Sequence, residues 1–134
     1  MTDNDNYAKQ LEFIEEMARR FRPIHDAFLD RKQEFEEDAL DPPVHTILAD
    51  TASWIDRNVE TDPAGVSEIL SAFDYAYSRN DLTIRALIGM GLVESLPRTW
   101  SERGQKVWEL AGQNIKKLID VCSKNGVVFE KDLD

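Results

Sequence analysis

Five prolines, Pro23, Pro42, Pro43, Pro63 and Pro97, all fall between apolar stripes and none falls inside one. Proline has no amide hydrogen and disfavours helical backbone in the residue before it, so each marks a place where a helix starts, stops or bends. Between them the apolar residues recur at the three- and four-residue spacing of an amphipathic helix. Tyr7, Leu11, Ile14, Ala18 and Phe21 form the first stripe. Ile24, Phe28, Phe35 and Ala39 form the next, on a second helix starting at Pro23 or a kinked continuation of the first. Asp41-Pro42-Pro43 and Asp62-Pro63 both read as starts: a carboxylate to accept from a first-turn amide, and a proline where no amide hydrogen is needed. They introduce the stripes Val44, Ile47, Leu48, Thr51, Ile55, Val59 and Val66, Ile69, Leu70, Phe73, Tyr77.

Asn80 or Asp81 caps a fifth segment, Leu82 to about Leu96, apolar almost all round and stopped by Pro97. A helix without a polar face belongs in the middle of a bundle. Thr99-x-x-Glu102 fits a capping box. The helix after it carries Val107, Ala111, Ile115, Leu118 and Cys122 on one face, with Trp100 and Trp108 near its apolar side, and Asn125-Gly126 ends it. Val127-Val128-Phe129 reads as a short extended tail. The expectation is an all-α single-domain bundle of five to six helices over residues 1–134, with 1–6 and 130–134 as flexible ends.

The chain has 134 residues, 42% apolar and 31% charged, enough to bury a core without covalent staples. Its 26 acidic against 16 basic residues leave a net charge of −10, which argues against a nucleic-acid backbone or an anionic membrane as partner. One cysteine precludes an internal disulfide and fits a reducing, cytoplasmic setting. The acidic, polar N-terminus lacks the basic opening of a signal peptide.

Residues for chemistry are sparse. His25 and His45 stand apart and form no spacing that aims two ligands at one metal. Cys122 lies on a face expected to be buried, where a thiol acts as a small hydrophobe. Glu94 is the nearest to a carboxylate in apolar surroundings, and an edge salt bridge is the plainer reading. Gly89-Met90-Gly91 lacks the third glycine and βαβ setting of a phosphate loop, and reads as a place where a neighbouring helix approaches. No catalytic residue, cofactor or metal site is expected.

The second helix instead carries a ladder of acids. Asp26, Asp30, Glu34, Glu37 and Asp38 are neighbours at helical spacing, away from the apolar stripe, with Arg31 at the edge. Like charges so placed destabilise a helix by about 0.2–0.5 kcal/mol per pair. They are either a solvated face or a surface kept for a cationic protein. Trp54, on the flank of its helix, and Tyr75, about 180° round from Val66 at 100° per residue, are the aromatics placed to anchor such a partner.

Residues 70–97 add a resemblance. Asn80-Asp81, Ile84, Leu87-Ile88, Gly91 and Leu92-Val93-Glu94-x-Leu96 follow a helix rich in aromatics. The stretch resembles small all-helical bacterial proteins of the immunity type, encoded beside secreted antibacterial toxins; related sequences carry asparagine where this chain has Ala86. The resemblance implies a stoichiometric inhibitor that plugs a toxin's active site, and carries no site residues over. An acidic inhibitor suits a toxin with a basic cleft, such as a nuclease. The alternative is a regulatory or adaptor module, monomeric or self-associating, that uses the same face on another cationic protein.

Overall fold

The computed structural model describes residues 3–37 and 42–134, with the side chains of Asp3, Asn4 and Glu37 left out. These residues are all-helical, and no strand occurs among them. The helices are α1 (Asp3–Arg20), α2 (Arg22–Glu37), α3 (Val44–Asn58), α4 (Pro63–Arg79), α5 (Leu82–Ala86), α6 (Glu102–Leu110) and α7 (Gln113–Asn125). The break between α1 and α2 falls at Phe21, one residue before the helix that contains Pro23. α1 packs along α2, and its Phe13 meets Phe73 of α4 edge-on, ring centroids 6.0 Å apart. Ile14, Met17, Ile24, Ile47, Leu48, Ile55, Leu70 and Phe73 are among the side chains at the centre of the core.

α4 starts as its sequence dictates. Asp62 accepts from the amide of Gly65 at 3.0 Å and Pro63 takes the first helical position. At α3 the device differs: Pro43 itself occupies the cap position, in extended conformation and without a side-chain bond, and Asp41 lies outside the described residues.

α5 changes pitch as it goes. Five α-helical residues, opened by the Asp81 carboxylate on the amide of Thr83, pass into a π-helical stretch Leu87–Leu92 and a 3-10 turn Val93–Ser95. Gly89 and Gly91 fall in the π stretch. A Cβ on Gly89 would lie 2.9 Å from Leu133 and 3.3 Å from Val128, and one on Gly91 would touch Leu48. The glycines thus admit the C-terminal residues and α3, the close approach read from the sequence.

Three expectations about the C-terminal half are corrected. The single long helix is two, broken at Ala111 and Gly112, because Asp74 of α4 reaches into the break and accepts from the amide of Ile115 at 3.0 Å. A side chain at residue 112 would collide with that carboxylate, its Cβ 2.4 Å from Cγ of Asp74. The cap of α6 is Ser101, accepting from Gly104, and not Thr99, whose amide donates to Ser123. Trp100 is not core but 73% exposed, since it stands in the turn before α6 and never enters the helical stripe. Beyond Gly126 (φ +84°) residues 127–129 are irregular rather than strand, and Glu130–Leu133 make a 3-10 turn that buries Leu133. No described helix is long and apolar enough to cross a membrane.

Candidate functional site

α2 and α3 form an antiparallel pair, which follows from where they join. Arg31, six residues before the end of α2, meets Asp50, six residues after the start of α3. The contact is two-pronged, Nε to Oδ2 at 2.7 Å and Nη2 to Oδ1 at 3.1 Å, and Nη1 also donates to Glu34 at 3.2 Å. The Asp50 hydrogen bonds and charge hold the Arg31 guanidinium still more firmly protonated than usual. Asp50 lies one helical turn before Trp54, so the ion pair fixes α2 beside the half-buried indole.

Together with the start of α4 these helices enclose a groove of about 1010 Å³. Its lining brings together four of the expected residues: Asp26, Asp30, Glu34 and Trp54. Glu37 lies in α2 without a described side chain, and Asp38 falls outside the described residues. Tyr75 is elsewhere. It is 58% exposed on the far side of α4, beside a hollow of about 350 Å³ against α1, with the Arg79 guanidinium 4.8 Å above its ring.

The groove is less uniformly acidic than the sequence suggests. Arg20, Arg22, Arg31 and Arg57 share it with Asp26, Asp30, Glu34, Asp50, Asp62 and Glu68. Asp26 is paired with Arg22 at 3.1 Å, so two of the ladder's described acids have a counter-charge and Asp30 has no ion-pair partner among the described residues. Toward the connection between α2 and α3, three carboxylates (Asp30, Glu34, Asp50) surround one guanidinium, a local excess of acid beside Trp54. Asp50, Arg20, Arg22 and Arg57 went unnoticed in sequence. They belong to separate stripes, and only the α2–α3 pairing reveals that they face one space.

The other candidates take structural places. Glu94 accepts from the amide of Val128 at 3.0 Å, fastening the C-terminal residues to the end of the π segment. Cys122 is fully buried, and burial pushes its thiol up to about 11, so it stays protonated at neutral pH. His25 and His45 are exposed. Among the described residues, no group of three His, Cys, Asp or Glu side chains is disposed to hold a metal ion. No family model matches the chain, and no curated protein or solved structure matches it either.

Proposed function

We propose that the chain is a non-catalytic acidic binding protein of the immunity type, whose groove between α2, α3 and α4 receives a cationic segment of a bacterial toxin. The observation that carries this reading is the excess of carboxylates, Asp30, Glu34 and Asp50, gathered beside a half-buried tryptophan in an open groove. A partner guanidinium or ammonium entering there meets an unpaired carboxylate and an indole face, the combination that favours a cation. The polar surround then acts chiefly on the rate and selectivity of association. A second use, as an adaptor for a different cationic protein, draws on the same surface. The arginines at the other end of the groove favour it if the partner segment carries acids as well.

The test compares two double charge reversals with equal change in net charge: Asp30→Lys/Glu34→Lys in the groove, and Glu109→Lys/Asp120→Lys on exposed positions of α6 and α7. Both should stay within about 0.5 kcal/mol of the parent in stability, as exposed substitutions do. The probe is the toxin domain encoded beside this gene, with association followed at low and moderate salt and toxin activity assayed with one equivalent of each protein. The groove variant should associate at least tenfold more slowly, with a flatter salt dependence, and should lose inhibition; the control should do neither. Equal loss in both variants would reduce the surface to bulk charge. Absence of any complex with the parent protein would end the immunity reading.

A further inference from the structure

We propose a second binding element, independent of the groove: the loop at residues 97–101 is a preformed mount that inserts Trp100 into an apolar cleft with a basic rim on a different protein. The loop shares no lining residue with the groove and borders a separate hollow of about 560 Å³.

The loop backbone is held on both sides of the tryptophan. Before it, the Arg98 guanidinium donates to the carbonyls of Glu94 (3.0 Å), Leu96 (3.2 Å) and Gly126 (3.1 Å). The amide of Thr99 donates to Ser123 of α7 at 3.2 Å. After it, the Ser101 hydroxyl donates to the Arg98 carbonyl at 2.9 Å and accepts from Gly104 at 3.0 Å. The Arg98 carbonyl sits so close over Gly104 that a Cβ there would lie 1.7 Å from its oxygen. A loop tied to three other parts of the chain loses little freedom when it binds, and this is how a preorganised contact gains affinity.

What the loop carries is left in solvent. Trp100 is the most exposed of the large apolar side chains described, whereas Trp54 is half-buried in the groove and Trp108 lies half-buried with the Lys116 ammonium 4.7 Å from its ring. Val127, 42% exposed, follows the Gly126 carbonyl that Arg98 grips, so the same bonds hold a second apolar side chain at this end of the molecule. Tryptophan is among the residues that most often carry the energy of an interface.

The charges around the loop choose the partner. Arg98 is committed to backbone carbonyls, and Arg103 to Asp56 at 2.9 Å. Lys106 reaches Glu60 at 3.0 Å and Glu102 only at 3.8 Å, and the Glu102 side chain is 84% exposed. Free charge beside Trp100 is therefore acidic. A second copy would bring the same acids and another −10, so the complementary surface is a heterologous one with cations around an apolar cleft.

The experiment places a photo-crosslinker in the full chain within the cells that produce it, as Trp100→p-benzoyl-phenylalanine, with Gln105→p-benzoyl-phenylalanine on the exposed face of α6 as control. The proposal expects one discrete heterologous adduct from position 100, none from position 105, and a captured protein with a basic patch at the cross-linked site. Purified, that protein should bind the Trp100→Ala variant at least tenfold more weakly and the Trp100→Phe variant in between, with the thermal melt of both variants unchanged. The Asp30→Lys/Glu34→Lys variant should leave the adduct in place, which separates this element from the groove. No discrete adduct, a self-dimer, or binding of Trp100→Ala within twofold of the parent would overturn it.

Discussion

α4 and the α5 segment are neighbours in sequence, both central and both strongly apolar, yet one is a regular helix and the other changes pitch twice. α4 buries one face, Val66, Ile69, Leu70, Phe73 and Tyr77, and turns Glu68, Ser71, Tyr75 and Ser78 outward. Its geometry has only to satisfy its own hydrogen bonds and one packed stripe. The segment Leu87–Val93 buries nearly every side chain, pressed by α3 on one side and by Val128 and Leu133 on another. With contacts all round, a regular α pitch cannot place every side chain at once, and a π turn at two glycines redistributes them. Local signals decide a helix that packs on one face. Neighbours decide one that packs on all.

The largest expected effect probes that difference in the core. Leu87 and Leu92 are fully buried in the π segment, so Leu87→Ala or Leu92→Ala should cost ~2–5 kcal/mol, read from urea midpoints. Leu70→Ala, equally buried in α4, should fall in the same range. The comparison sharpens in hydrogen exchange. The α5 variants should deprotect the C-terminal turn as well, because its Val128 and Leu133 rest on this segment; a loss below half a kcal/mol at both leucines would show the segment is not central.

A smaller effect distinguishes two caps. Asp62 caps its own helix in exposed surroundings, while Asp74 caps α7 from another helix with the Ile115 amide partly buried. Asp62→Ala should cost about 1 kcal/mol, with water replacing the carboxylate. Asp74→Ala should cost more, about 1–2 kcal/mol, because the amide it leaves has less water to turn to. The measurement is thermal unfolding of both variants, and the reverse order would mean that the break at Gly112 does not depend on Asp74.

The smallest effect is at Cys122, which α7 packs near Glu94 and Arg98. Burial first, with the Glu94 and Asp132 charges adding and Arg98 opposing, raises this thiol to about 11, above its unfolded value. A raised acid in the folded state leaves stability intact below the unfolded pKa, and stability falls as pH climbs through the folded one. Melting temperature should therefore decline between about pH 9 and 11 in the parent more than in Cys122→Ala. Parallel declines would show that the end of the π segment is open to water.

Much of the fold was legible because its signals are local. Asp62-Pro63, Asp81 and Asn125-Gly126 act within a few residues of themselves, and each stands where the sequence places it. The signals that misled were also local, but lost to tertiary partners. Thr99 and Glu102 fit a capping box, yet the amide of Thr99 is taken by Ser123 of α7 and Ser101 becomes the cap. Trp100 sits at a position that would face the core if the helix began earlier. Of the candidate binding residues, Asp26, Asp30, Glu34 and Trp54 converge on the groove, whereas Tyr75 does not, because its helix shows the groove only its first turns.

The sequence by itself determined an all-helical chain, the starts of α4 and α5, the stop of α7 and the apolar faces that became the core. These follow from backbone sterics, capping and helical spacing, interactions that close within one or two turns. Only the tertiary structure decided where the last helix breaks, why the glycine pair sits in a π turn, that Asp50 and the arginines join the acidic ladder in one groove, and that Trp100 stands in solvent. Each of those depends on a group some 20 to 60 positions away in the chain, such as Asp74 reaching Ile115 or Arg98 reaching Gly126. No local spacing encodes such a contact, because it exists only once the helices have packed.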